Sequence, residues 1–271
     1  MHIVGQAVNR TGYYIKLLFV FMRMSLLGQL EYRINFISGM FVELAYMCIK
    51  LTYLVVVISA GVNIGSLSPN MVVLFIGVYC FMTGVLCFFW TIMTIPEKVI
   101  AGELDMMIVK PGSLIFLLTL GKFNFAMTIP NFLVGLTLII IGWHSVCIPV
   151  TFITISGFIF FMLMGILLTY SFMILQAVLV FWVTSINGIY TLFSALWDFN
   201  NMPMALYGRT IQRIGTFVLP IFILTNWPGL FVLDKLSLLE AVWGVAVPVL
   251  LLLLASGMWK KGIRKYISAN G

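Results

Sequence analysis

MVVLFIGVYCFMTGVLCFFWTIMTIPEKVIAGELDMMIVKPGS, residues 71–113, changes character halfway along. Residues 71–95 carry no charge, and as a helix that run would rise about 37 Å, enough to cross a hydrocarbon core of about 30 Å. Residues 96–113 then hold Glu97, Lys98, Glu103, Asp105 and Lys110. Between Lys50 and Asp198 the chain has only one other charged side chain, Lys122. So apolar a chain gathers its charge at one place, where an apolar run has just ended and another is about to begin.

The whole chain follows that pattern. Its 271 residues are 62% hydrophobic and 8% charged, against roughly 25% charged in soluble domains, which excludes an ordinary water-soluble fold. Apolar length and flanking charge predict an all-α polytopic membrane protein with six transmembrane helices. The expected spans are about 34–60, 71–95, 113–142, 148–183, 211–227 and 240–259. Residues 1–33 read as an interfacial arm, in which Lys16 and Arg23 share one face and Leu17, Phe21, Met24 and Leu27 line others, and residues 34–271 as the transmembrane domain. The fourth run is long for one crossing, but no proline or charge marks a turn between Pro149 and Ser185, so one tilted helix is expected. The stretch after it is broken by Asn187-Gly188, Asn200-Asn201 and Pro203, and reads as a surface helix and loop.

Six spans put both termini on one side. With the termini inside, Arg10, Lys16, Arg23, Arg33, Lys98, Lys110, Lys122, Arg209, Arg213, Lys260, Lys261, Arg264 and Lys265 fall inside, and the outer segments keep only Lys235. Positive charge is retained on the cytoplasmic side of membranes, so both termini are expected in the cytoplasm. The net charge of +7 is spent at the ends of apolar runs, which argues against a nucleic-acid partner. Cys48, Cys80, Cys87 and Cys147 show no metal or redox spacing, and His2 and His144 are isolated. The cysteines therefore read as small packing residues. Lys16 and Arg23 leave too short an apolar core between them for a cleavable signal.

Within the island, Thr94 and Glu97 have capping-box spacing and Pro96 suits a first turn, so a helix is expected to begin there. Ile100, Leu104, Met107 and Ile108 recur on one face, with Lys98 and Asp105 on the other. Lys110-Pro111-Gly112 ends it. A short amphipathic helix over about 96–111, carrying both signs of charge, has the character of a docking surface.

IAGELDMMIVKPGS resembles the cytoplasmic segment of ABC-2 type transporter permeases, six-span membrane subunits of bacterial exporters, through Gly102, Leu104, Asp105, Lys110 and Pro111, with Glu103 at the usual polar position. LEYRINF at 30–36 and FVLPIFILTNWPGLFVL at 217–233 fit the same family. The resemblance implies that 96–111 is a coupling helix docking on a separate ABC ATP-binding subunit, present in two copies, and that Glu97, Lys98, Gly102, Glu103, Leu104, Asp105, Lys110 and Pro111 serve that contact. It also implies a second permease subunit, identical or paralogous, and a bacterial inner (plasma) membrane location. The chain has no GxxxxGK[ST] phosphate loop, so ATP-Mg is expected on the partner and no cofactor, metal or catalysis on this chain.

Inside the first span Glu43 and Lys50 stand seven apart on one helix face, a possible intramembrane polar site. Phe88, Phe89, Phe160, Phe161 and Phe172 are aromatic residues for lipid, core or substrate. An apolar, aromatic-rich path suits an amphipathic or lipophilic substrate. A secondary transporter or channel would need more intramembrane ionisable groups and repeated halves. A membrane-embedded lipid-modifying enzyme would need convergent acids, bases or metal ligands.

Overall fold

The computed structural model describes residues 2–61, 63–65, 67–110, 112–183 and 187–270, with no β-strand among them. Helix α1 (His2–Glu31) leads into α2 (Arg33–Ala60) and α3 (Pro69–Phe88). A 3-10 turn at Trp90–Thr94 feeds two short helices, α4 (Ile95–Ile100) and α5 (Leu104–Ile108), followed by α6 (Leu114–Leu120) and α7 (Phe125–Ser145). Then come α8 (Phe152–Val178), α9 (Asn187–Asp198), α10 (Arg209–Arg213), α11 (Ile223–Val232) and α12 (Leu238–Asn270). Helices α2, α3, α7, α12 and α8 with its closing turn are each long and apolar enough to cross a membrane. The protein is an all-α polytopic membrane protein.

The bundle has two ends. At one, the α3–α7 connection, the end of α8 and the end of α12 share a core of Ile92, Ile95, Leu104, Leu118, Val178, Phe181, Trp259 and Tyr266. Helix α1 docks on the same side: Tyr14 accepts a hydrogen bond from the Ser113 N–H at 3.0 Å, and Ser25 one from the Phe123 N–H at 3.1 Å. We call this the arm end. The α2–α3, α7–α8 and α11–α12 turns form the far end, where Ile148 packs with Val232 and Leu74.

Helix α3 is the buried centre, and its closest neighbour is α7. The two approach through glycine. A Cβ added to Gly135 would stand 2.5 Å from the Phe81 backbone nitrogen, and one on Gly142 or Gly77 would stand 2.7 Å from the Leu74 or Ile139 nitrogen. Lipid offers no hydrophobic drive for helices to associate, so backbone proximity and dispersion contact supply the attraction. The glycines make that proximity possible.

The third expected span is interrupted. Instead of one helix over 113–142, α6 ends at Leu120 and α7 begins at Phe125. Lys122 carries its charge out of the apolar run, and Asn124 caps α7, its Oδ1 accepting from the Met127 N–H at 3.3 Å. A polar side chain that satisfies an orphan N–H makes this a better start than Ser113. Helix α3 likewise stops at Phe88, short of 95. The fourth run is one continuous helix that starts later than 148, at Phe152, behind a capping box of Thr151 and Thr154.

The fifth expected span, 211–227, is corrected. Residues 209–218 and 223–232 are two helical pieces bent by 107°, with Pro220, which has no N–H to continue a helix, at the break. Both outer limits lie at the far end: Gly65 in the α2–α3 turn lies against Ala205, and Lys235 Nζ is 3.6 Å from the sulfur of Met71. Between them the chain dips into the bundle, the Leu224 carbonyl reaching Gly165 halfway along α8. It is a re-entrant hairpin. The crossing belongs to 187–207, expected to lie on the surface: Tyr190 Oη donates to the Met93 carbonyl at the arm end at 2.9 Å, and Ala205 is at the far end. Helix α9 and the two 3-10 turns after it cover roughly 30 Å. Arg209 and Arg213 therefore sit at the far end, and the basic residues other than Lys50, which lies within α2, divide eleven to three in favour of the arm end.

Candidate functional site

The charged island connects α3 to α6 at the arm end. Ile95 and Leu104 are fully buried in the core there, hooking the segment to α8 and α12. The expected single helix over 96–111 is two short ones, because α4 ends in a Schellman motif: the Gly102 N–H bonds the Val99 carbonyl at 3.2 Å and the Glu103 N–H the Lys98 carbonyl at 2.9 Å. That closure needs a left-handed residue, and Gly102 has φ +74°. The Ala101-Gly102 pair was the sequence signal for it. The capping box at Thr94 is absent too. Thr94 has helical backbone angles, and its hydroxyl donates to the Thr91 carbonyl at 2.8 Å.

The break redistributes the faces. Of the four apolar residues expected on one face, only Leu104 is fully buried, and Ile100 is 68% exposed. Glu97, Glu103, Asp105 and Lys110 are exposed beside Ile100, Met106 and Val109. The exposed surface thus mixes acids with large apolar groups, a composition suited to contact with another protein. Lys98 is half-buried; burial pushes its ammonium below the usual lysine value, Glu103 pulls it back, and Lys122 and Lys110 add to the drop. Pro111 lies outside the described residues.

Glu43 and Lys50 do not form a joint site. Glu43 accepts a hydrogen bond at 2.8 Å from Asn131 on α7, and Lys50 stands 4.4 Å over the ring of Tyr79 on α3. Each ties α2 to a different neighbour. Asn131, which sequence reasoning passed over, is fully buried and also donates to the Met127 carbonyl at 2.9 Å. A lone amide in an apolar run was its only signal.

Cavities flank the arm-end half of the bundle, and two of them adjoin the connector and the hairpin. One, of about 270 Å³, lies between α3, α8 and α9 under the tip of the re-entrant hairpin. Its walls include Trp90, Phe172, Phe193, Trp197 and Leu224, with Gln176 and Thr169 as polar groups. Phe172 is the one of the five expected aromatics that lines it. The other, of about 860 Å³, is a more polar groove between α1, the start of α2 and the 121–124 link.

A bundle of membrane-crossing helices with a folded-back hairpin and an exposed, mixed-charge connector defines a polytopic helical membrane protein. A family model described as ABC-2 family transporter protein matches residues 44–270. The chain belongs to that family. No curated protein and no solved structure matches it.

Proposed function

We propose that this chain is the permease subunit of an ATP-driven ABC-2 type exporter, working with a second permease, identical or paralogous, and two copies of a separate ATP-binding subunit. The observation that carries this reading is the connector: exposed Glu97, Glu103, Asp105 and Lys110 on a segment whose Ile95 and Leu104 are locked into the core shared with α8 and α12. A push on such a surface is delivered to the packed ends of the crossing helices rather than absorbed by a loose loop. Gly102 sets the fold of the surface, Leu104 is its anchor rather than a contact, and Lys98 turns toward the groove. ATP-Mg is held by the partner. The arm end faces the cytoplasm of a bacterial cell, with both termini there, in keeping with the excess of basic residues at that end. The cavity with aromatic walls supports an amphipathic or lipophilic substrate.

The test is charge reversal at the exposed acids. Glu103→Lys with Asp105→Lys is expected to abolish co-purification of the ATP-binding subunit and substrate export while leaving the yield of the membrane subunit unchanged. Assembly and export at normal levels would overturn the assignment.

A further inference from the structure

The groove at the arm end is where charge, shape and unmet bonding coincide. It holds about 860 Å³ and is walled by the second half of α1, the first turns of α2, the end of α3 and the 121–124 link. Most of its polar groups are already engaged. Gln29 Oε1 accepts from the Phe125 and Ala126 N–H groups at 3.0 and 3.2 Å, Ser25 accepts from Phe123, and Asn124 caps α7. Thr91 donates to the Lys122 carbonyl and Thr94 to that of Thr91.

What remains are donors. Lys98 and Lys122 both line the groove, and no carboxylate does. Neither lysine has an ion-pair partner among the described residues. The side chains of Tyr32 and Asn35, on the same wall, make no hydrogen bond among the described residues either. The two like charges facing one cleft repel; exposed Glu103, outside the groove, offsets part of that at half-buried Lys98, and an anion seated between the two lysines would offset the rest. Nor is the groove simply a water-filled notch. It adjoins the base of α2, where Val42, Tyr46 and Ile49, on the same side of the helix as Asn35 and Gly39, are exposed in a row leading along the membrane-crossing helix, and Tyr32 and Trp90 provide the amphipathic rings found at membrane interfaces.

We infer that this groove is a binding site for the phosphate headgroup of an anionic phospholipid, with Lys98 and Lys122 neutralising the phosphate, Asn35 and Tyr32 donating to its oxygens, and the acyl chains lying along α2. The site ties lipid to two things at once. Its walls belong to the arm and to the connector, so an occupied groove holds α1 against the 121–124 link and sets the position of Lys98 beside α4. It is independent of the ATPase reading, because binding needs only this chain.

The experiment uses the full chain purified in a neutral detergent and titrated with phosphatidylglycerol bearing a fluorescent acyl chain. Lys98→Gln with Lys122→Gln is expected to weaken binding by about 30-fold, the effect of two lysines near an anionic surface. Lys98→Arg with Lys122→Arg is expected to retain it, which separates charge from folding. Phosphatidylcholine with the same chains is expected to bind weakly to both. Equal affinity for the two lipids, or no loss in the glutamine variant, would overturn the site. If inorganic phosphate alone binds the same lysines as tightly as the lipid, the lipid assignment is overturned in favour of a soluble phosphate.

Discussion

The α3–α7 pair and the 209–232 hairpin both pass as membrane spans by length and composition, yet one runs straight through the bundle and the other turns back inside it. Helices α3 and α7 each run as one unbroken helix, α7 even past Pro130, and glycines let the two backbones touch. The hairpin breaks its own ladder at Leu219-Pro220 and survives because side chains replace it. Asn226 accepts from the Met204 N–H at 2.9 Å and donates to the Phe222 carbonyl, while Thr225 donates to Asn200 at 2.8 Å. Trp243 on α12 donates to the Thr216 carbonyl at 2.9 Å. Broken backbone is tolerated at membrane depth only where protein surrounds and satisfies it. Length and composition admit both regions as spans; polar residues with partners to hand tell them apart.

The largest effect that would break this contrast is all-or-none. With Cys48 replaced by Ser, native Cys147, exposed in the far-end α7–α8 turn, is expected to react with a membrane-impermeant maleimide from one side only. With Cys147 replaced as well, Arg209→Cys is expected to react from that same side and Glu97→Cys from the other. Labelling of the position-209 and position-97 cysteines from a single side would restore 211–227 as a crossing.

Next in size is Gly135→Leu, which drives a side chain into the backbone of α3. It is expected to cost more than about 3 kcal/mol, read as lost monodisperse protein and lower resistance to denaturing detergent. A normally stable variant would mean that the glycine contact does not organise the bundle. Smaller is Asn226→Leu, which strands the Met204 N–H and is expected to cost about 2 kcal/mol. Hydrogen exchange should rise across 204–207 and the hairpin while α3 and α7 stay protected. Exchange that rose uniformly would show the hairpin to be one cooperative unit with the core.

Much of the fold could be read from the residues. The bounds of α2 lie close to those expected, because charge and apolar length change abruptly at Arg33 and Gly61. The island at 96–111 stood out because five charges in an apolar chain have few places to go, and its break was encoded in Ala101-Gly102. Helix α9 was harder. Twelve helical residues with Asn200, Asn201 and Pro203 beyond them look like a loop, and only the contacts of Tyr190 with Met93 at one end and of Ala205 with Gly65 at the other reveal that 187–207 traverses the bundle. The lysine groove was illegible for the same reason: Lys98 and Lys122 belong to separate elements, and their convergence depends on how α1 seats against the start of α7.

Sequence by itself determined that this chain is helical and membrane-embedded and that its charge is concentrated in one connector, because burial in lipid is a property of each segment and needs no knowledge of its neighbours. The tertiary structure alone decided which segments cross, which turns back, where Arg209 and Arg213 emerge, and which lysines share a groove. Those outcomes rest on backbone groups and charges finding partners far away in the chain, and a linear pattern holds no record of such distances.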